Sequence, residues 1–248
     1  MRAAVLGATK GIGRAIARVL VARGDTVFLL GRDAAELELA RADLAARRAD
    51  GVAGVARCDL EDVPSFAPAL DAAAAALGRI DAVIVTAGLF ATQDKLEADL
   101  AFLRRMLDVD FTATVVFCEE ARRRLLGNAD GGGGTLCVLS SVAGERGRKP
   151  VVFYGAAKAG LTRYLESLDH KYRAAGLRTI CVKPGFVKTG MTEGLKTPPF
   201  AGEPEGVARD VVRALDAGKP VVYTPGIWAL VMLVIRWLPR FVMRKIGF

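Results

Sequence analysis

Cysteine and histidine are scarce in this sequence, and their scarcity excludes two kinds of site. The 248 residues include one histidine and four cysteines, which lie far apart at Cys58, Cys118, Cys137 and Cys181. Because no two cysteines form a CxxC pair, the pattern argues against a zinc centre and against a disulfide framework. We therefore expect no metal site and a reducing compartment. The first residues resemble a buried strand rather than a secretory leader, which favours the cytoplasm.

The carboxyl-terminal segment lacks a hydrophobic run long enough to span a membrane. It has only nine consecutive apolar residues, Ile227–Ile235, whereas a spanning helix needs about 20. Aromatic residues and cations without an acidic neighbour are typical of a segment in the membrane interface or beside a lipid-sized pocket. These residues are Trp228, Trp237, Phe241, Arg236, Arg240, Arg244 and Lys245. A helix packed in a dimer interface fits the same composition equally well.

The excess of positive charge lacks the arrangement that nucleic-acid binding requires. The net charge is +8, but the basic residues are spread along the chain and aromatic residues are not interleaved with them. We expect no nucleic-acid partner. The main local excess lies in the carboxyl-terminal segment, where it favours a membrane surface or an anionic substrate.

The sequence is rich in short apolar runs that alternate with longer amphipathic segments. Runs of Val, Ile and Leu that end in Gly, Asp or Ser are typical of buried parallel strands. Seven such runs are AAVLG, TVFLLG, GVAGVARCDL, DAVIVTAG, TLCVLSS, LRTICVKPG and PVVYTPG. The segments between them have helical composition, for example Ile12–Arg23 and Glu36–Arg48. The sequence therefore predicts a single α/β domain with a doubly wound, parallel, seven-stranded sheet.

In a sheet of this kind, ligands bind at the carboxyl ends of the strands, and the first such end is rich in glycine. Gly7, Gly11 and Gly13 follow a predicted strand and open a predicted helix in the stretch LGATKGIGRA. Glycines in that context let the backbone approach a pyrophosphate, whose charge is stabilised at the amino terminus of the helix. We therefore predict a dinucleotide site.

The second strand end predicts which dinucleotide binds. An acidic residue at the second end usually receives the ribose 2′-hydroxyl of NAD, whereas a 2′-phosphate requires a cation. Arg32 follows the second strand and Lys10 lies inside the glycine loop, so two cations from separate segments favour NADP. We interpret Asp33 as the amino-terminal cap of the next helix. Asp59, at the third strand end, is placed to hydrogen bond an adenine amino group.

A tyrosine and a lysine one helical turn apart predict the reactive group. Tyr154 and Lys158 lie in the stretch FYGAAKAGL, whose small residues favour a helix, and an i, i+4 spacing puts both side chains on one face. A cation beside a phenol favours the phenolate and lowers the pKa of the phenol. A phenol tuned in this way can exchange a proton with a substrate oxygen near neutral pH. The pattern is short, however, and also occurs by chance in many helices.

The order and spacing of these motifs resemble the short-chain dehydrogenase/reductase family over nearly the whole chain. The matching motifs are Gly7–Gly13, Asp59, Thr86–Gly88, Ser140–Ser141, Tyr154–Lys158 and Pro184–Thr189. The resemblance implies a Rossmann fold, a nicotinamide cofactor, hydride transfer and a homodimer or homotetramer. It also implies that Tyr154 is the acid/base, that Lys158 lowers its pKa and binds the ribose, and that Ser141 orients the substrate carbonyl.

The same resemblance implies further cofactor contacts, although two of the contributing segments depart from the family pattern. The implied contacts are Thr9, Ile12, Leu60, Ala87, Gly88, Pro184, Gly185, Val187 and Thr189. Thr189 is expected to contact the nicotinamide carboxamide. Leu6 stands where the family usually has a threonine, so the glycine loop loses a side-chain hydrogen bond. Val85 and Thr86 replace the two asparagines of the family's NNAG motif.

A further departure affects the predicted catalytic set. Asp110, in LDVDFTATVVF, stands where the family has a catalytic asparagine that holds a water in a relay to the lysine. A carboxylate there can hold the water, or it can pair with Lys158 and weaken the effect of the lysine on Tyr154. Alternatively, Asp110 is solvated, or an alignment displaced by two residues places Asp108 at that position.

The end of the chain refines the expected function. We predict a catalytic domain over residues 1–224, with a mobile substrate lid near 189–205, and an apolar, basic segment over 225–248. This segment, with SSVAGERGRKPVVFYGAAKAGL and PGFVKTGMTEGLK, resembles the branch of the family that reduces a keto sugar carried on a polyprenyl phosphate. We therefore expect an NADP(H)-dependent carbonyl reductase of a lipid-linked or bulky apolar substrate, in the cytoplasm at the inner membrane surface. The alternatives are a soluble ketoreductase of acyl or polyketide-like substrates and a non-catalytic, NADP-binding regulatory protein.

Overall fold

The computed structural model describes residues 1–128 and 132–246 and contains a seven-stranded parallel sheet. The strands are β1 (Arg2–Leu6), β2 (Thr26–Gly31), β3 (Val52–Arg57), β4 (Ala82–Val85), β5 (Gly134–Leu139), β6 (Leu177–Pro184) and β7 (Val221–Thr224). Their order across the sheet is β3-β2-β1-β4-β5-β6-β7, which confirms the predicted doubly wound fold. Every residue of β4 and β5 is buried, as expected for strands with helices on both faces.

The helices that cover the sheet follow the amphipathic segments of the sequence. They are α1 (Gly11–Ala22), α2 (Ala34–Arg47), α3 (Phe66–Leu77), α4 (Gln93–Ala98), α5 (Leu100–Leu107), α6 (Thr114–Leu126), α7 (Val152–Tyr172), α8 (Pro204–Ala217), α9 (Ile227–Trp237) and α10 (Arg240–Met243). Helices α1, α2 and α8 enclose a core on one face that contains Ile16 and Val211. On the other face, α3, α6 and α7 enclose a second core, in which the rings of Phe66 and Phe117 pack edge to face.

The position of a ligand site follows from the reversal of strand order at β1. Strands β2 and β3 lie on one side of β1, and β4 to β7 lie on the other. Leu6 is in register with Leu30 of β2 and with Val85 of β4, so the loops after these strands begin at one level. In open α/β sheets, ligands bind in the crevice that such diverging loops leave at the carboxyl ends of the strands.

The carboxyl-terminal segment is a pair of short helices on the surface of this domain. Met232 and Ile235, on one face of α9, are buried against Val142, which lies just after β5. Across residues 1–128 and 132–246, none of the helices combines the length and the apolar character that a membrane crossing demands. Residues 247 and 248 of the predicted segment lie outside the described residues.

Candidate active site

The glycine loop between β1 and α1 forms a backbone cradle that requires glycine. Gly7 and Gly11 have φ angles of 87° and 52°, a region that residues with a Cβ rarely adopt. A Cβ at Gly13 would collide with the carbonyl oxygen of Gly7, so the third glycine lets α1 start directly against the loop. The first amides of a helix have no intrahelical acceptor, and the helix dipole favours an anion there. The loop therefore fits the pyrophosphate of a dinucleotide.

Thr86, which follows β4, supplies a hydrogen bond that Leu6 cannot make within the loop. The Thr86 hydroxyl donates to the carbonyl oxygen of Leu6 at 2.8 Å and lies 3.2 Å from that of Gly7. The Thr86 amide also donates to Leu6, at 2.9 Å. The glycine loop is thus stabilised from the neighbouring strand, and the departures at Leu6 and Thr86 compensate for each other.

Two cations lie beside the loop at the predicted 2′-phosphate position, and one of them has an acidic neighbour. Lys10 Nζ lies 3.4 Å from Glu36 Oε1, and both side chains are exposed. Arg32 is exposed, and none of the described carboxylates lies within ion-pair distance of it. Asp33 accepts a hydrogen bond from the Glu36 amide at 3.1 Å and caps α2, as predicted. Glu36 was not predicted as a neighbour of Lys10, because it lies in α2 rather than at the strand end.

The other predicted cofactor contacts lie at the same edge of the sheet. Asp59 follows β3 and accepts a hydrogen bond from the Glu61 amide at 3.1 Å, while Leu60 is buried. Thr189 lies across the crevice, since a Cβ at Gly11 would be 3.5 Å from the Thr189 methyl carbon. The remaining residues lie at or just beyond the ends of β1, β4 and β6: Thr9, Ile12, Ala87, Gly88, Pro184, Gly185 and Val187.

Hydrogen bonds from the turn after β5 fix the start of α7. Ser140 Oγ donates to the carbonyl oxygen of Lys158 at 3.0 Å and lies 2.7 Å from Thr162 Oγ1. A Cβ at Gly144 would lie 2.6 Å from the Lys158 carbonyl carbon, so this turn packs directly on the backbone of α7. The contacts set the position of Lys158 relative to the sheet. The two adjacent serines therefore differ in role, because Ser140 holds the helix and Ser141 faces the site.

Tyr154, Lys158 and Ser141 lie together in the crevice. Lys158 Nζ is 5.4 Å from the centre of the Tyr154 ring, and Ser141 lies close enough to the phenol to lower its pKa. Ser141 Oγ also accepts a hydrogen bond from the Ala143 amide at 3.0 Å, which orients its hydroxyl. The ring of Phe90 packs edge-on against Tyr154, with ring centres 5.1 Å apart. Phe90 was not predicted, because no local pattern links it to α7.

The net pKa shift of Tyr154 is opposite to the direction that the sequence predicts. Burial raises the pKa of the phenol, and this effect outweighs the lowering by Lys158 and Ser141. The carboxylate of Asp110 raises the pKa further. Lys158 acts in the predicted direction, but the prediction left out the loss of hydration, which decides the net shift. In the protein alone, the phenol is therefore protonated at neutral pH and can donate its proton.

Asp110 lies in a π-helical turn, Asp108–Ala113, between α5 and α6. The Asp110 side chain is fully buried, and its Oδ1 accepts a hydrogen bond from the Leu89 amide at 2.8 Å and lies 3.7 Å from Lys158 Nζ. Its Oδ2 is buried and has no hydrogen-bond partner in the described part of the chain. Asp108 is exposed and pairs with Arg104 instead, so of the two aspartates it is Asp110 that lies beside Lys158.

The pKa values of Asp110 and Lys158 depend on each other, because both side chains are buried. Burial raises the pKa of Asp110, and the lysine opposes this rise. Burial would lower the pKa of Lys158, but Asp110 and Tyr154 together raise it, so the lysine stays charged. A Cβ at Gly88 would lie 2.7 Å from Asp110 Oδ1, so the glycine leaves room for the carboxylate. Single π-helical turns of this kind are frequent at functional sites.

The predicted lid between β6 and α8 is tied to the carboxyl-terminal segment by Trp228. At its base, the Gly202 amide donates to the Phe186 carbonyl oxygen at 2.8 Å. The Trp228 indole occupies the space beside Gly185, where any Cβ would collide with it. Trp228 Nε1 donates to the carbonyl oxygen of Phe200, in the lid, at 3.3 Å. The indole therefore contacts both the lid and the loop that follows β6.

Comparison with known proteins identifies the family of this chain. Residues 1–199 match the family model described as short chain dehydrogenase. An oxidoreductase of Mycobacterium tuberculosis, described as uncharacterized, is 35% identical over 246 residues, which cover 97% of this chain and 95% of that protein. The cis-4-hydroxycyclohexanecarboxylate dehydrogenase of Sinomonas cyclohexanicum is 34% identical over 194 residues, or 78% of this chain and 76% of that enzyme.

A solved structure extends the comparison to the fold. The short-chain type dehydrogenase/reductase from Mycobacterium ulcerans superposes with a TM-score of 0.78 at 25% identity, over 90% of this chain and 87% of that one. The protein is thus an oxidoreductase of the class that uses a nicotinamide cofactor. The chain belongs to the short-chain dehydrogenase/reductase family.

Proposed function

We propose that the protein is an NADP(H)-dependent reductase that transfers hydride between nicotinamide and a carbonyl or secondary alcohol of a bulky, lipid-linked substrate. The observation that supports this reaction is the convergence of Ser141, Tyr154 and Lys158 beside the glycine cradle. A carbonyl oxygen must gain a proton during reduction, and a buried phenol beside an ammonium group can provide it. The cradle and the phenol lie at one edge of the sheet, as the reaction requires.

The residues of this chain act on the substrate oxygen, while the bound cofactor supplies the hydride. The Ser141 hydroxyl and the Tyr154 phenol donate hydrogen bonds to that oxygen, which gains negative charge during reduction. Tyr154 then transfers its proton to the oxygen, and the Lys158 ammonium stabilises the phenolate that remains. Burial keeps the phenol protonated in the protein alone, which is the state that carbonyl reduction requires.

Asp110 is assigned to positioning Lys158. The carboxylate lies 3.7 Å from Lys158 Nζ and is itself held by the Leu89 amide. Its partnerless Oδ2, within the described residues, provides an acceptor for the water that the family's asparagine is expected to hold. The same charge also opposes ionisation of Tyr154, so the aspartate makes the phenol a stronger base once it is ionised.

The preference for NADP rests on Arg32 and Lys10. A charge-assisted contact to the 2′-phosphate contributes roughly 1.5–3 kcal/mol, which corresponds to about tenfold or more in affinity. We expect the contribution of Lys10 to be the smaller one, because Glu36 competes for it. Arg32 forms no ion pair with the described carboxylates, and Glu61, which interacts with it at longer range, is paired with Arg105.

Titration of the protein with NADPH and with NADH tests this preference. We expect NADPH to bind about tenfold or more tightly, and Arg32→Ala to remove most of that difference. Arg41→Ala is the matched control, because Arg41 is an exposed arginine on the adjacent helix that pairs with Glu38 instead. Equal affinities of the unmodified protein for the two cofactors would refute the assignment.

The proposed substrate class rests on the apolar side chains around the crevice. Met191 and Phe200 of the lid, and Val152 at the start of α7, are exposed, and an apolar substrate would cover them. The basic segment at the end of the chain suits a phosphate group. These features favour the decaprenylphosphoryl-keto-pentose reductase branch of the family. The relative from Sinomonas cyclohexanicum is named for a hydroxycyclohexane, which supports a secondary alcohol on a ring.

We place this reaction in the cytoplasm at the inner membrane surface, in a homodimer or homotetramer that contacts the membrane through residues 225–248. NADPH oxidation with cyclic ketones that carry alkyl chains of increasing length tests the substrate class. We expect turnover to improve with chain length. A preference for β-ketoacyl thioesters over every cyclic ketone would favour the soluble ketoreductase instead.

A further inference from the structure

The turn that follows Ser141 is joined to the carboxyl-terminal helices by its own basic residues. Arg146 donates to the carbonyl oxygen of Leu238, at the end of α9, at 2.8 Å. Lys149 Nζ donates to the carbonyl oxygen of Arg244, at the end of α10, at 2.6 Å. Cations are stabilising at the carboxyl ends of helices, where carbonyl groups lack partners. Two segments almost a hundred residues apart in sequence thus share one surface.

This contact brings together basic residues from two segments that are far apart in the sequence. The group comprises Arg146, Lys149, Arg240, Arg244 and Lys245, which we term the basic rim. No described carboxylate lies within ion-pair distance of Arg240, Arg244 or Lys245. The acidic group of this region, Glu145, is buried and pairs with Lys183. The rim therefore carries uncompensated positive charge.

An apolar surface adjoins the basic rim. Leu230, Val234, Trp237 and Phe241 expose 63%, 62%, 80% and 65% of their surface, respectively. The first three recur every three or four residues on α9, opposite the face that buries Met232 and Ile235. We term these four side chains the apolar face.

We propose that the apolar face and the basic rim together dock on a bilayer surface that carries anionic headgroups. Aromatic and aliphatic side chains beside uncompensated cations match the headgroup region of such a bilayer in both polarity and charge. A second copy of this chain fits less well, because a two-fold interface would bring one basic rim against the other. The inference rests on the membrane contact in the proposed function and names the surface that makes it.

Co-sedimentation of the full chain with vesicles tests the proposal without substrate or cofactor, so its outcome is independent of the proposed reaction. The vesicles are phosphatidylcholine alone, or phosphatidylcholine mixed equally with phosphatidylglycerol. We expect binding to the mixed vesicles to be at least about tenfold stronger, and to weaken as salt is added. The double variant Arg240→Glu/Arg244→Glu should bind the mixed vesicles no more strongly than phosphatidylcholine alone. Trp237→Ser should weaken binding to both kinds of vesicle.

The matched control is Arg178→Glu/Lys219→Glu, which changes the net charge equally. Both residues are exposed and lie where β6 and β7 begin, at the opposite edge of the sheet. This variant should bind the mixed vesicles like the unmodified protein. Equal losses in the two double variants, or no binding to either vesicle, would overturn the proposal. Self-association in sedimentation velocity that Trp237→Ser abolishes would also overturn it, by assigning the apolar face to a second copy.

Discussion

Two trios of lysine, carboxylate and tyrosine lie near the carboxyl edge of the sheet, and they differ in how their charges are paired. The first is Lys158, Asp110 and Tyr154, and the second is Lys183, Glu145 and Tyr223. In both trios, the lysine nitrogen lies 5.4 Å from the centre of the tyrosine ring. In both, burial raises the pKa of the tyrosine, the lysine opposes the rise and the carboxylate adds to it.

The trios differ in how many oxygens of the carboxylate have a partner. Glu145 lies 2.5 Å from Lys183 and 3.4 Å from Arg236 of α9, so each of its oxygens faces a cation. Asp110 lies 3.7 Å from Lys158, and its second oxygen has no partner among the described residues. Unsatisfied buried polar groups are costly and rare in native proteins, and they often mark functional sites. The comparison indicates that the second trio anchors α9, whereas the first retains capacity for chemistry.

The largest expected difference between the trios is in turnover. Tyr154→Phe should lower carbonyl reduction by about 10²–10⁴-fold, because it removes the proton donor and nothing else. Tyr223→Phe, which removes the same atom beside the other lysine, should leave turnover within a few-fold of the unmodified protein. The measurement is NADPH oxidation with a ketone identified by screening, alongside cofactor titration to show that both variants still bind NADPH. Similar turnover in the two variants would show that Tyr154 is not the proton donor.

The second expected difference is in the free energy of unfolding. Here the change in the second trio should have the larger effect. Glu145→Gln leaves a buried lysine without its anion, and breaking a buried pair from one side costs about 3–5 kcal/mol. Asp110→Asn should cost less, because Asp110 lies 3.7 Å from its lysine whereas Glu145 lies 2.5 Å from its own, so less attraction is lost. The free energy of unfolding in urea at neutral pH gives both values. A larger loss for Asp110→Asn than for Glu145→Gln would show that the pair of Asp110 and Lys158 contributes more to stability than the pair of Glu145 and Lys183.

The sequence predicts the first trio far better than the second, for a physical reason. Tyr154 and Lys158 are one helical turn apart, so a local spacing already places them on one face. Lys183 and Glu145 are 38 residues apart, and only the packing of β6 against the turn after β5 brings them together. Side-chain spacing along one element is visible in a sequence, whereas pairing between elements depends on the whole fold.

The same limit applies elsewhere in the site. The strands, their parallel order and the cap at Asp33 follow from local patterns. The contact of Trp228 with Gly185 and the hydrogen bond from Thr86 to Leu6 join residues 43 and 80 positions apart, and neither could be predicted. The upward pKa shift of Tyr154 was also missed, because burial of a side chain is a property of the folded protein.

The smallest expected effect, on the pH dependence of turnover, tests whether Asp110 acts on Tyr154. The negative charge of Asp110 disfavours the phenolate and raises the pKa of Tyr154. Asp110→Asn removes that charge, so the pKa should fall. Alcohol oxidation requires the phenolate, because the tyrosine must accept the proton of the alcohol. The acidic limb of the oxidation profile at saturating NADP should therefore move to lower pH.

Asp110 also acts on Lys158, and loss of the lysine's charge would limit turnover on the alkaline side of the same profile. The acidic limb therefore reports on Tyr154, and the alkaline limb reports on Lys158. Asp110 raises the pKa of Lys158, so Asp110→Asn should also move the alkaline limb to lower pH, and the profile should shift as a whole. Glu145→Gln, which removes the carboxylate of the other trio, should leave both limbs in place. If Asp110→Asn moves only the alkaline limb, the carboxylate acts on the lysine alone, and the group that titrates on the acidic side is not Tyr154.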